Sequence, residues 1–212
     1  MGHIYLTRHG RTYANELWSL LSQEGKSSLN PRQEISLDRL RELVSDEEKR
    51  DQFLVRNNLS GGFFPFGLST KGLEQAAVLG RYLASRTELV RIIVPTKDCM
   101  MIFRNQRTAE RIKFESGRNL VFESPSCLSE QLGREYSASG DDERVDQIVG
   151  GLCNFEGGLF VLNSGLLERI VGVAGESLEF FDNCGLVVLR YESGRLSVAE
   201  GYISNDEIQA KL

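Results

Sequence analysis

Three residue types that suit phosphate chemistry follow a short apolar run near the start of the chain. The run is Ile4-Tyr5-Leu6, the three residues are Arg8, His9 and Gly10, and Asn15 lies five positions after the glycine. A guanidinium presents a planar fork of donors to phosphate oxygens, an imidazole can act as a nucleophile or a proton carrier, and glycine lets a backbone approach a ligand closely. The run has the character of a buried strand, and open α/β sheets bind ligands at the carboxyl ends of their strands. A surface turn explains the triplet equally well when it is taken alone, so other segments must decide.

Segments with strand and helix patterns alternate along the chain. Strand patterns occur over 3–7, 89–94, 120–122, 159–162 and 185–191, and a turn at Ser193-Gly194 leads into a returning hairpin strand at 195–200. Helical spacing of apolar residues occurs over 11–23, 35–45, 46–55, 69–83, 104–114, 142–150 and 166–173. This alternation predicts a three-layer α/β/α sandwich with a mostly parallel sheet, to which the hairpin adds an antiparallel edge.

Several local patterns give finer predictions. Ser45-Asp46-Glu47-Glu48 has the spacing of a capping box, and Ser69 is the expected N-cap of the helix that follows it. The polar tail after Ser204 is a candidate for disorder. Two helices have predicted inward faces, formed by Leu73, Ala76, Ala77, Gly80 and Leu83 in one and by Ala109, Ile112 and Phe114 in the other.

The composition fits one α/β domain and argues against several classes of function. A chain of 212 residues can bury one large core, and its net charge of −5 makes it a poor general binder of nucleic acid or membranes. No apolar stretch approaches the roughly 18 residues of a membrane span, and the N-terminus lacks the pattern of a signal peptide. The four cysteines lack CxxC spacing and are interpreted as reduced thiols, which favours a cytoplasmic protein.

Six segments, in the right order, resemble the motifs of the histidine phosphatase superfamily, whose fold is that of phosphoglycerate mutase. The resemblance covers nearly the whole chain and implies a single domain over 1–212, with a helical insert at about 16–67. The segments are Arg8–Asn15 (RHGxTxxN), Leu68–Ala76 (LTxxGxxQA), Arg104–Ala109 (RAxxTA), Leu128–Gly133 (LxExxxG), Phe160–Gly165 (a strand ending in His-Gly) and Asp182-Asn183-Cys184 (a late segment before a strand).

The resemblance implies a role for each residue of the site. His9 would attack phosphorus in line and carry the phosphoryl group as a phosphohistidine. Arg8 and Arg104 would hold the phosphoryl oxygens, and Asn15 would add a neutral donor. Glu130 would protonate the leaving oxygen and later activate water. Two guanidiniums supply the positive field here, so no metal and no cofactor is expected. Arg104 as a helix-face charge and Glu130 as a solvated loop acid stay open as alternatives.

Position 164 departs from the family pattern, because Ser164 stands where the family has its second histidine. The only other histidine, His3, lies at the far end of the predicted strand and is not expected to replace it. Losing one preorganised donor costs about 10²- to 10³-fold in turnover, but phosphate binding can persist through the arginines, His9, Ser164 and Gly165.

Three interpretations of position 164 stay open. The chain is a weak or inactive member that still binds a phosphorylated ligand, an active variant in which Asn163, Ser164 or the insert compensates, or an engineered form. Asn105, which replaces the alanine of the RAxxTA motif, favours natural divergence. Gln75 and Arg107 are interpreted as structural or surface residues. The insert, with its Phe63-Phe64-Pro65-Phe66 cluster, is either a lid that selects the substrate or a packing element.

Two functions follow from these observations. The first is a metal-independent phosphohydrolase that acts on a small phosphorylated substrate, with activity weakened by the loss of the second histidine. The alternative is a pseudophosphatase that binds phosphate, a phosphorylated ligand or a protein without turnover. A mutase ranks third, because the second-histidine site is altered. The oligomeric state is left open, with a homodimer as one option, and no nucleic-acid or membrane partner is expected.

Overall fold

A computed structural model describes residues 2–23, 25, 37–59, 67–94, 103–124, 142–178 and 181–212. Its strands are β1 (His3–Arg8), β2 (Arg91–Ile93), β3 (Val121–Glu123), β4 (Gly158–Leu162), β5 (Leu186–Glu192) and β6 (Arg195–Ile203). Its helices are α1 (Tyr13–Gln23), α2 (Leu37–Leu43), α3 (Glu47–Arg56), α4 (Thr70–Leu83), α5 (Phe103–Ser116), α6 (Asp142–Leu152), α7 (Ser164–Val173) and α8 (Asn205–Ala210), with a 3-10 turn at Cys153–Phe155.

Within these residues, the strands form one mixed sheet in the order β3-β2-β4-β1-β5-β6. The pairs β2–β3, β2–β4 and β1–β4 are parallel. The pairs β1–β5 and β5–β6 are antiparallel, because the hairpin returns along the edge of the sheet. The predicted mostly parallel sheet with an antiparallel edge is therefore confirmed, and β1 lies inside it.

Alternate residues of β1 point into two different apolar layers, as the pleat of a strand requires. Ile4 and Leu6 pack in a cluster with α6 and α7 on one face of the sheet. Tyr5 packs in a cluster with α4, α5 and α8 on the other face. Helices therefore cover both faces of the sheet, which is the predicted three-layer α/β/α sandwich.

The helices between β1 and α4 have a small core of their own. Leu17 and Leu21 of α1, Leu40 and Leu43 of α2 and Phe53 of α3 form this cluster. The Phe63-Phe64-Pro65-Phe66 cluster lies outside the described residues. The packing of α1, α2 and α3 onto one another gives the insert a structural function, whatever else it does.

Two inward-facing predictions are wrong. Phe114 is 75% exposed and Leu73 is 40% exposed. Helix α5 instead buries Asn105, Thr108, Ala109 and Ile112. These positions share one face at a spacing of three or four residues, whereas Phe114 is two residues from Ile112 and is turned by about 200°. Apolar character alone therefore misplaced this aromatic side chain.

Two predictions about helix ends are also corrected by the structure. Helix α3 is capped by Asp46 rather than Ser45, and the Asp46 carboxylate accepts a hydrogen bond from the Lys49 amide at 3.1 Å. The tail after Ser204 is helical rather than disordered. Ser204 and Glu207 form a capping box at the start of α8, and Ile208 is buried against α4 and its neighbours.

Candidate active site

The end of β1 is held in place from both of its neighbours. Arg8 lies opposite Leu162 in the β1–β4 ladder, and the His9 amide continues it by donating to the Leu162 carbonyl at 3.1 Å. On the other side, the Cys184 amide donates to the Arg8 carbonyl at 3.1 Å and Asn183 Nδ2 donates to the His9 carbonyl at 2.8 Å. The backbone of the Arg8-His9 pair is thus fixed before any ligand binds.

The imidazole of His9 is buried, and one of its ring nitrogens makes a hydrogen bond to the backbone. Only 3% of the residue is exposed, and Nδ1 lies 2.8 Å from the Gly10 carbonyl oxygen. A carbonyl can only accept, so Nδ1 carries the proton and Nε2 keeps its lone pair. Burial lowers the pKa of His9 well below its ordinary value, and the charges of Arg104 and Arg8 lower it further. His9 is therefore neutral at physiological pH.

The two arginines are anchored to different loops. Arg8 Nη1 donates to the Phe181 carbonyl at 2.8 Å, and Arg104 Nη2 donates to Asn163 Oδ1 at 3.0 Å. Burial lowers the pKa of Arg8, and the nearby Asp182 carboxylate opposes this shift. Both guanidinium charges lower the pKa of His9, so both lie within electrostatic range of its imidazole.

The N-terminus of α7 faces the same end of the sheet. Asn163 is its N-cap residue, yet the side chain makes no capping hydrogen bond and accepts from Arg104 instead. Ser164 and Gly165 are the first two residues of the helix, and both are partly buried. Uncapped amides and the helix dipole together favour an anion. Ser164 thus places a hydroxyl at this helix N-terminus.

Thr108 links the loop after β1 to α5, and the sequence interpretation gave it no function. Its Oγ1 accepts a hydrogen bond from the Gly10 amide at 2.9 Å and donates to the Arg104 carbonyl at 2.7 Å. One hydroxyl therefore sets the distance between the loop that carries His9 and the helix that carries Arg104. The sequence signal that could have identified Thr108 is its place in the RAxxTA-like segment, four residues after Arg104.

Helix α4 supports the same loop by close backbone contact. A Cβ on Gly72 would lie 2.0 Å from the Arg11 carbonyl oxygen, and a Cβ on Gly10 would lie 2.5 Å from the Gly72 carbonyl oxygen. Only glycine fits at such an approach. Gln75 is buried, and its Oε1 accepts from the Arg11 amide at 3.2 Å. Gln75 therefore has a structural function, as predicted.

The side-chain oxygen of Asn15 is already hydrogen-bonded within the protein. Its Oδ1 accepts from the Thr12 amide at 3.0 Å and from Thr12 Oγ1 at 2.9 Å, which leaves the NH₂ group as the donor that a ligand could use. Asn15 borders a cleft of about 550 Å³ beside Arg8. The cleft is lined by Arg8, Arg11, Asn15, Trp18, Ser19, Ser22, Gln23 and Asn183.

Three further residues singled out in the sequence fall elsewhere. Glu130, the predicted acid and base, lies outside the described residues. Arg107 is on the surface, paired with Glu110 at 2.9 Å. His3 begins β1, five residues before Arg8, and at about 3.3 Å per residue it lies roughly 17 Å from the site. The structure therefore brings together Arg8, His9, Asn15, Arg104, Ser164 and Gly165 around one end of β1 and β4.

Asn105, the departure from the RAxxTA pattern, has a structural contact. It is buried, and Nδ2 donates to the Val161 carbonyl of β4 at 2.9 Å.

Across the described ranges, no group of three or more His, Cys, Asp and Glu side chains is placed to hold a metal ion. No helix of the described chain has the length and apolar character needed to cross a membrane.

No protein-family model matches the chain, and no curated protein matches its sequence. Solved structures do match it. The protein histidine phosphatase SixA complexed with tungstate shows 12% identity and a TM-score of 0.55, over 97% of this chain and 99% of that one. A mycobacterial glucosyl-3-phosphoglycerate phosphatase complexed with VO3 shows 14% identity and a TM-score of 0.51, over 94% and 98%. The alpha-ribazole phosphatase of Shigella flexneri shows 16% identity and a TM-score of 0.51, over 93% and 95%. The chain has the fold of these phosphatases.

Proposed function

We propose that this protein is a phosphohydrolase of the histidine phosphatase type, which acts on a small phosphorylated substrate in the cytoplasm. One observation carries the proposal: a buried, neutral His9 has its Nδ1 proton committed to the Gly10 carbonyl and two arginines beside it. The complexes of neighbouring structures with tungstate and VO3, both phosphate-like oxyanions, support a phosphoryl ligand. The proposed domain spans 1–212 with an insert at about 16–67, and α1, at the start of that insert, lines the cleft beside Arg8.

The first chemical step is an in-line displacement. The Nε2 lone pair of His9 attacks phosphorus, the bond from phosphorus to the ester oxygen breaks, and the leaving oxygen takes a proton from Glu130. Arg8 and Arg104 neutralise the charge that spreads over the phosphoryl oxygens. Asn15, Ser164 and Gly165 supply neutral donors to the same oxygens.

The second step returns the enzyme to its resting state. Water attacks the phosphohistidine, the bond from phosphorus to Nε2 breaks, and Glu130 accepts the proton of the water. The guanidiniums hold the phosphate until it leaves. Ser164 cannot carry a positive charge, so we expect both steps to be about 10²- to 10³-fold slower than with a histidine there.

The test is His9-dependent hydrolysis of p-nitrophenyl phosphate, with detection of an acid-labile phosphoenzyme. His3→Ala is the matched control, because it removes the only other histidine, at the far end of β1. We expect His3→Ala to retain the activity and His9→Ala to lose both hydrolysis and the phosphoenzyme. Equal rates for His9→Ala and the parent would refute the proposal.

A second function, a pseudophosphatase that binds phosphate without turnover, is supported by Ser164. The anchored arginines and the α7 N-terminus remain as anion-binding groups, while the second imidazole is missing. This function predicts no hydrolysis by the parent, together with a phosphate-induced rise in the melting temperature that Arg8→Ala abolishes. Measurable hydrolysis by the parent protein therefore distinguishes the phosphohydrolase from the pseudophosphatase.

A further inference from the structure

A second cationic cleft lies between α1, α3 and the start of α4. Its volume is about 280 Å³. Among the described residues that line it, four are cationic, namely Arg11, Lys49, Arg56 and Lys71, and one is anionic, Glu16. The chain as a whole carries a net charge of −5. An acidic protein that gathers four cations around one cleft has the electrostatics of a specific anion site rather than of a general basic surface.

Glu16 arranges two of these cations. Its carboxylate is 6% exposed, and it contacts Arg11 Nε at 2.7 Å and Arg56 Nη2 at 2.9 Å. One buried carboxylate therefore orients two guanidiniums and neutralises only one of their two charges. A guanidinium has five N–H donors, so each arginine keeps donors for a ligand in the cleft.

Lys71 is placed against the local helix dipole. It is the second residue of α4, whose first turn contains no acidic residue. A cation is disfavoured at the positive end of a helix, and an anion is favoured there. In the described part of the chain, Lys71 has no ion-pair partner, while Lys49 has only Asp46 at 3.5 Å. A bound anion would compensate both the lysine and the helix end.

We propose that this cleft binds a phosphate group, held by Arg11, Lys49, Arg56 and Lys71. Arg11 also lines the cleft beside Arg8, so the new site adjoins the site proposed for phosphoryl transfer. This phosphate belongs either to the ligand bound at His9, which is then bisphosphorylated, or to a separate phosphorylated molecule. The inference does not depend on turnover at His9, because none of its four cations takes part in that chemistry.

The experiment measures binding stoichiometry by titration calorimetry, with inorganic phosphate as the probe. We expect two phosphates per chain for the parent and one for Arg8→Gln. The double variant Lys71→Gln/Arg56→Gln should lose the other phosphate, with affinity reduced roughly tenfold or more for each charge-assisted contact removed. Lys211→Gln, an exposed lysine near the C-terminus, is the matched control.

A second titration, with fructose 1,6-bisphosphate, distinguishes one ligand that bridges both sites from two separate ligands. A bridging ligand binds once per chain and is weakened by Arg8→Gln and by Lys71→Gln/Arg56→Gln alike. Independent ligands give two binding events, each lost in one variant. The inference is overturned if the parent binds a single phosphate that Arg8→Gln abolishes, or if Lys71→Gln/Arg56→Gln binds phosphate as Lys211→Gln does. Neither outcome touches the His9 phosphoenzyme, so the proposed function would stand.

Discussion

Thr108→Val tests whether one hydroxyl holds the site together. Valine keeps the volume of threonine but removes the group that accepts from the Gly10 amide at 2.9 Å and donates to the Arg104 carbonyl at 2.7 Å. Thr108 is fully buried, so water cannot replace the lost bonds. A buried donor left without a partner costs about 1–3 kcal/mol, which is a large fraction of the roughly 5–15 kcal/mol that stabilises a typical domain.

The assay is urea denaturation followed by circular dichroism. We expect the free energy of unfolding of Thr108→Val to fall by about 1–3 kcal/mol with an unchanged m-value. Phosphate affinity should fall with it, because the Gly10 loop and Arg104 lose their common support.

Thr108→Ser is the matched control for this experiment. Serine keeps both hydrogen bonds and loses one methyl group, which costs about 1 kcal/mol when buried. We expect Thr108→Ser to bind phosphate as the parent does. If Thr108→Val is within about 0.5 kcal/mol of the parent and binds phosphate equally well, the hydroxyl does not couple these elements, and the reasoning fails.

Three further changes probe other parts of the site. Gly72→Ala places a Cβ 2.0 Å from the Arg11 carbonyl oxygen, and we expect thermal unfolding to show a loss of about 1–3 kcal/mol, whereas Gly150→Ala, with open space around it, should be neutral or stabilising. His9 resists protonation when folded but has an ordinary pKa near 6.5 when unfolded, so the unfolded chain binds more protons below that pH. Stability should therefore fall on acidification from pH 7 to pH 5, by at most about 1.4 kcal/mol per unit, and denaturation curves of His9→Gln should show a smaller fall. Ser164→His should raise hydrolysis of p-nitrophenyl phosphate about 10²- to 10³-fold, and no gain would favour the binding-only function.

The order of elements was readable from the sequence, because strand and helix periods are local, and short local motifs supplied the candidate site residues. The contacts that position those residues were not. Asn163 resembles an ordinary helix cap, and only the hydrogen bond from Arg104 Nη2 to its Oδ1 shows that it holds an arginine instead. Thr108 and Asn183 likewise act through partners that are distant in the sequence. The roles of the site residues stay predictions.

Two errors have different causes. Phe114 was placed inside because an aromatic side chain favours burial, although the angle around α5 turns it outward. The tail after Ser204 was assigned to disorder from its polarity, although the spacing of Ser204 and Glu207 is that of a capping box. Only the packed helix corrects the error for Phe114, whereas the sequence itself could have prevented the error for the tail after Ser204.

The central place of β1 in the sheet also bears on how the chain folds. Its partners β4 and β5 come from the far half of the sequence, and the bond from Asn183 to His9 spans 174 positions. Contacts of such long range require costly loop closure and form slowly. We therefore expect the anion pocket to be absent from the folding transition state, so that phosphate slows unfolding and leaves the refolding rate unchanged. His9, the proposed nucleophile, is thus expected to be among the last groups to reach its working position.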